Sequence, residues 1–502
     1  MLDRRKLLTL AVSTGAGALL IPVGTKVAGA VRAPDMAGMD MSAMSGSVAP
    51  AHHGPMVMDD SAVPAQKGFT GTPFTMPMIV PAELRPMRSL FGTDNYRIAM
   101  RPAKVELVPG VPSDLLTYDG TFVGPTIRAR SGRTVRVTFD NQLPDAATVH
   151  LHGSHVTPFN DGQPMNTFAP GESRTYVYDN SWPAQTMWYH DHNHPLVAQH
   201  VYHGLHGFYI VEDDFERSLH LPRDEYDVPI MLAESTFDDS GVLTYDFFDF
   251  DRPTILVNGR PQPFFRVAAR KYRIRLLNGS NHGVLTLDLG GAEMLQIASD
   301  QGLLPAPVPL TKLVLSPAER ADLIVDFSRY RLGSHVTLNE TRGPILRFDV
   351  DRHAHDTSRV PRRMRPMEPA PPVAATREVV LSTNFDTIES YINGKVYDMD
   401  RIDFRMRLNT SEIWSIKNID TDFGGVDHAF HLHHVKFRVL DRDGAPPQPW
   451  ESGWKDTVLC SAGSTVRVQV VINGSETGTY VCHCHMLEHE EAGMMANMEF
   501  YA

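Results

Sequence analysis

Cysteine is scarce. Three occur in 502 residues, at Cys460, Cys482 and Cys484. Three thiols close at most one disulfide, so no cystine framework holds this chain together. A surplus of positive charge is also missing. The formal net charge is -12, which argues against nucleic acid or anionic lipid as the main partner. Beyond the N-terminus no run is long and apolar enough to span a bilayer, so no membrane span is expected in the mature chain. Helical periodicity is rare. What remains is an ordinary apolar share of 42%, enough to bury a core, with 37 Gly and 37 Pro that imply many turns. At roughly 150 residues per domain the length fits about three domains.

The N-terminus reads as an address. Met1 to Lys6 is a basic head containing Arg4-Arg5, an apolar run extends from Leu7 to Val23, and Ala28-Gly29-Ala30 offers small residues for cleavage. Residues 1–30 are therefore expected to be a signal peptide of the twin-arginine type, which exports folded proteins to the periplasm or beyond. Residues 31–73 are rich in Met, Gly, Ala, Ser and Pro and lack periodicity, so they are expected to be disordered.

Three similar stretches follow. Val123-Gly124-Pro125, Asn258-Gly259-Arg260 and Asn393-Gly394-Lys395 each precede a strand-like run that ends near Asn141, Asn278 and Asn418. A period this long is a domain triplication rather than a solenoid. Alternating runs such as Arg133 to Phe139 and Thr465 to Val471 argue for an all-β fold of sandwiches or barrels. The expected units are 74–217, 218–350 and 378–502, with a Pro/Arg-rich linker at 351–377.

The 23 His are the abundance, and many are clustered. His150-Leu-His152, His190-Asp-His192, His431-Leu-His433 and His483-Cys-His485 each place two imidazoles on one face of a strand, where residues i and i+2 align. Two pairs fall in the first unit and two in the third, at equivalent places. Those units are expected to share a metal cluster, with the second acting as a spacer. Eight imidazoles exceed what one tetrahedral zinc uses and fit two or three ions. Cys484 points to the opposite face, where His428, His489 and Met494 can join it. Two His, a thiolate and a weak axial Met form a blue-copper ligand set. The first unit carries Asp191 where the third carries Cys484, so one such centre is expected. One peptide unit separates the Cys484 sulfur from the imidazoles on the other face, which makes Cys484 the point where electrons enter.

With these motifs, Trp188-Tyr-His-Asp-His192, Gly453-Trp-Lys-Asp-Thr457 and Gly493-Met-Met495, the chain resembles three-domain bacterial multicopper oxidases, the branch of cuprous oxidases, spore-coat laccases and bilirubin oxidases. The resemblance spans residues 75 to 502. It implies three cupredoxin-like Greek-key β-sandwiches and four copper ions. His428, Cys484, His489 and Met494 would hold type 1 copper; His150 and His431, type 2; His152, His190, His192, His433, His483 and His485, the type 3 pair. Four one-electron oxidations would be coupled to reduction of dioxygen to water. Asp161 and Glu490 match the family's proton donors. His155, His194 and His434 lack a ligand role in the family and read as lining residues.

The donor stays open. A phenolic or bilirubin-like substrate competes with Cu(I) or another metal ion, and the absence of a Met-rich helical insertion tilts the reading towards organic donors. The Met-rich tail, including Met36, Met39, Met41 and Met44, reads either as a copper collector or as a spacer. Other classes are a copper-buffering protein and a nitrite reductase, which the full histidine set disfavours. Cys482 either pairs with Cys460 or stays a buried thiol. A monomer is expected.

Overall fold

The computed structural model describes residues 63–502. The signal and most of the Met-rich segment lie outside this range. The described chain is built from six sheets, two in each repeat. Alternating sequence drives this. In Thr134–Asn141 the residues Val135, Val137 and Phe139 are buried and Arg136 is exposed. Each such buried side chain contributes about 1.5–3 kcal/mol.

In the first repeat one sheet joins Thr93–Val108, Thr134–Asn141 and Ser173–Tyr178. The facing sheet runs Gly124–Arg130, His206–Glu212, Gln185–Asp191 and Val149–His152. The third repeat repeats this plan. Thr410–Asn418 sits at the heart of one sheet, and His428–Leu432 pairs with Gly478–Cys484 in the other. The middle repeat carries an eight-stranded and a five-stranded sheet. This is the all-β cupredoxin architecture that the alternating runs and the resemblance imply.

The repeats meet in a common apolar seam. Leu107, Trp188 and Val197 of the first, Leu256 and Leu277 of the second and Leu487 of the third belong to one buried cluster. One stretch differs from its sequence reading. Residues 63–73 were expected to be disordered with the tail, yet they lie against the second repeat. Gln66 accepts a bond from the Ile255 N–H, and its own N–H donates to Gln262 Oε1 at 2.9 Å, while Phe69 is buried. The apolar Phe69 and the amide of Gln66 supply the anchors of this stretch. In the Pro/Arg-rich stretch, Met364 is buried and Arg365 pairs with Asp213. No described helix is long and apolar enough to cross a membrane.

Candidate metal centre

The strands Val149–His152 and Gln185–Asp191 pair with His150 opposite His190. In the third repeat His431 lies opposite His483. The two sheets face each other across the seam, and all eight paired imidazoles are buried. His150 stacks on His433 at 3.8 Å between ring centroids, and His152 stacks on His431 at 3.8 Å. Residues from opposite ends of the chain thus line one cavity.

Hydrogen bonds fix the tautomers. A backbone carbonyl only accepts, so a ring nitrogen bonded to one carries the proton. His150 Nδ1 donates to the Asp161 carbonyl at 2.6 Å, His190 Nδ1 to Asp191 at 2.8 Å, His431 Nδ1 to Asp456 at 2.8 Å and His483 Nδ1 to Cys484 at 3.0 Å. Their Nε2 lone pairs are left facing inwards. Nε2 of His150, His190 and His431 has no hydrogen-bond partner, nor does either nitrogen of His485. Nε2 of His483 lies 3.3 Å from that of His192 and 3.1 Å from that of His433. Burial holds the ring pKa of His150, His152, His190, His433 and His485 well below the usual value, and neighbouring imidazoles add to it. Neutral, buried, unpartnered nitrogens cost about 1–3 kcal/mol each when nothing satisfies them. A cluster of converging lone pairs is what metal ions satisfy. Three triads have ligand atoms within 4.8 Å of one another: His150, His152 and His431; His152, His190 and His485; His192, His433 and His483.

A fourth group lies on the far face of Gly478–Cys484. Cys484 Sγ is 3.6 Å from His428 Nδ1 and 3.8 Å from His489 Nδ1, and the two nitrogens are 3.2 Å apart. Met494 is buried beside them, and its carbonyl accepts from the Cys484 N–H at 3.0 Å. Burial pushes the Cys484 thiol up to about 12, so a thiolate there needs a cation beside it. The donor set of two imidazoles, a thiol and a thioether fits copper.

Both expected acids adjoin the histidines. Asp161 ends the short helix Pro158–Asp161. His433 Nδ1 at 2.8 Å and Gln163 Nε2 at 2.7 Å meet its Oδ2, and Oδ1 has no partner. Burial raises this carboxyl well above its usual range. Gly162 makes the approach possible: its φ is +74°, and a Cβ there would stand 2.1 Å from the Val149 carbonyl oxygen. Glu490 lies 2.9 Å from His483 Nδ1 and 3.3 Å from His192 Nδ1. Burial would raise it, but the neighbouring His483 and His192 and the hydrogen bond from His483 bring it to about 2. Among the flanking histidines, His155 bonds Gln301 at 3.3 Å, His434 stacks on Tyr480 and His194 packs on Tyr397.

Several residues without a sequence role support these groups. Asp420 accepts from His428 Nε2 at 2.9 Å. Asp456 meets His152 Nε2 at 3.1 Å and is clamped by both terminal nitrogens of Arg320, each at 2.7 Å. Lys455 reaches Asp300 and Glu319, each at 2.9 Å. Arg320, Asp300 and Glu319 belong to the middle repeat, which is therefore more than a spacer. The charged Arg320 and Asp322 flanking the apolar run of the strand Arg320–Asp326 were the available signal. Cys460, Cys482 and Cys484 are all free thiols, so the disulfide alternative is not realised.

The fold and site define a copper-binding, cupredoxin-type protein, and comparison with known proteins makes that specific. Family models described as multicopper oxidase match residues 99–216 and 368–501. A multicopper oxidase of Staphylococcus haemolyticus is 32% identical, covering 81% of this chain and 89% of its own. A laccase of Bacillus stratosphericus is 34% identical, covering 84% and 97%. The crystal structure of a laccase from Pediococcus acidilactici superposes with a TM-score of 0.80 at 33% identity, covering 85% of this chain and 94% of that one. The chain belongs to the multicopper oxidases. It is an oxidoreductase that uses dioxygen as acceptor.

Proposed function

We propose that this chain is an exported, laccase-type oxidase with four coppers that takes single electrons from aromatic donors and reduces dioxygen to water. The observation that carries this reading is the strand Gly478–Cys484. Its Cys484 faces His428 and His489 on one side, and His483 faces the shared histidine cavity on the other. His428, Cys484, His489 and Met494 would hold type 1 copper. His150 and His431 would hold type 2, and His152, His190 and His485 with His192, His433 and His483 would hold the type 3 pair. Bound copper supplies one-electron redox chemistry and dioxygen activation.

The chain's own residues do the rest. Backbone carbonyls orient the imidazoles so that lone pairs converge. Asp161 holds a proton at its unpartnered Oδ1, within 3.5 Å of His150 Nδ1. Glu490 stays ionised and orients His192 and His483. The basic apolar N-terminus supports export of a folded, copper-loaded monomer. Oxygen uptake by the copper-loaded chain with a phenol tests the proposal, and absence of uptake with any donor overturns it. Oxidation of cuprous ion is the second reading, and the same assay with Cu(I) ranks the two.

A further inference from the structure

The first repeat carries an apolar tip that the metal centre does not use. The edge strand Arg88–Leu90 turns back at Phe91-Gly92 into Thr93–Val108, with Leu90 opposite Thr93. All three residues of the edge strand are exposed. At the tip Phe91 is 95% exposed, Met87 74% and Leu90 41%. Phe91 has a φ of +48° and Gly92 of +77°. Both residues of the loop thus take the left-handed region, where Asn-Gly is the favoured pair and a bulky ring is disfavoured. A ring that the fold leaves uncovered, and that strains its own turn, does not serve folding.

The charges around the tip have one sign. Leu84 to Gly92 contains Arg85 and Arg88 and no acid, and both arginines are exposed. The flanking acids are taken by other arginines, Asp94 by Arg133 at 2.6 Å and Glu83 by Arg128 at 3.3 Å. Among the described residues Arg85 and Arg88 are left without an ion pair. A hairpin tip is also convex. It offers no groove to a peptide and no pocket to a small ligand, whereas a fluid surface can close around it. A bilayer interface accepts apolar and aromatic side chains at headgroup depth, and its phosphates take guanidinium groups bidentately.

We propose that this hairpin tip docks the chain on an anionic lipid bilayer. Phe91, Leu90 and Met87 enter the headgroup region, and Arg85 and Arg88 hold lipid phosphates. The contact goes beyond the oxidase reading and does not depend on it. The net charge of -12 excludes a broad electrostatic contact with such a surface, and a tip does not need one. Charges more than about 10 Å from the lipid are largely screened at about 0.1 M salt, so acids farther back on the body weigh little. The contact is shallow and reversible, as befits two cations and a few apolar side chains.

The test uses the copper-loaded exported chain with vesicles of phosphatidylcholine and phosphatidylglycerol in equal parts. The parent chain should cosediment with them and not with pure phosphatidylcholine. Arg85→Ala with Arg88→Ala should weaken binding about thirtyfold, the effect of two cations near the surface. Phe91→Asn should weaken it about tenfold while Tm holds or rises, because Asn-Gly suits the turn. In Phe91→Trp the added tryptophan emission should shift to the blue when the mixed vesicles are present. A parent chain that stays in the supernatant overturns the proposal, as does equal binding by either loss variant or an unshifted tryptophan. A lowered Tm in Phe91→Asn would mark the ring as structural and overturn it too. A parent chain that dimerises without vesicles, with Phe91→Asn monomeric and neither binding lipid, gives the tip to a second copy instead.

Discussion

Asp161 and Glu490 touch the same histidine cavity in opposite protonation states. Nothing charged compensates the burial of Asp161, so it keeps its proton, while Glu490 lies between two imidazoles that hold it ionised. Asp161→Asn keeps the shape and removes the titratable proton. Turnover should fall by about 10²–10⁴-fold, the range for a lost general acid, with the blue absorption intact. Unchanged turnover would remove Asp161 from the mechanism. Asp420 acts differently, by fixing the His428 ring. Asp420→Asn should weaken copper retention at the Cys484 centre by about 10–100-fold, read by chelator competition while following the blue band. An equal loss of copper from the histidine cavity would contradict a role confined to His428.

At the level of strands and helices, the first and third repeats share two backbone hydrogen bonds at matching places. Cys484 N–H donates to the Met494 carbonyl, and Asp191 N–H donates to Leu205. Met494 N–H donates to His489, and Leu205 N–H to His200. Ala147, Asp191, His200 and Leu205 therefore occupy the places of His428, Cys484, His489 and Met494. The Asp191 carboxylate knits this frame by accepting from Thr148 N at 3.2 Å, Asn193 N at 3.0 Å and His200 Nδ1 at 3.0 Å. Asp191→Ala leaves those donors buried and should destabilise the first repeat by about 1–3 kcal/mol per orphaned group. Differential scanning calorimetry would show a lowered transition, and an unshifted one would refute the frame.

The same comparison explains what sequence could reveal. The His-x-His pairs and the Cys484–Met494 run are local, so strand alternation alone places their faces. Asp191 in the thiolate position was legible by counting. The clamp of Arg320 on Asp456 joins residues 136 positions apart, and the contact of His282 with His489 spans two repeats. No periodicity encodes such pairings. The order at Gln66 and Phe69 was hidden by the composition of the segment around them.

For the whole molecule, buried ion pairs couple the repeats. Asp227 is bound by Arg275 at 2.6 and 2.8 Å and by Arg128 at 3.1 Å. Burial would raise its carboxyl, but the Arg275 charge and hydrogen bonds, with Arg128, hold it well below the usual range. A depressed carboxylate contributes stability above its ordinary pKa of about 3.9, and that contribution is lost as pH falls below it. Asp227→Asn should cost about 3 kcal/mol at neutral pH and flatten the acid limb of the Tm profile below about pH 4. A parallel limb in variant and wild type would exclude Asp227 as a source of acid sensitivity.

The clamp at His152 has a further consequence. A cation of the middle repeat grips a carboxylate of the third, and that carboxylate aligns an imidazole of the first. The histidine cavity is therefore held together by all three repeats, whereas His428, Cys484, His489 and Met494 all come from the last. Proteolytic nicking followed by separation of the fragments would yield a C-terminal piece that can still colour blue but is unable to breathe oxygen. Colour without respiration would thus serve as a signature of a broken chain.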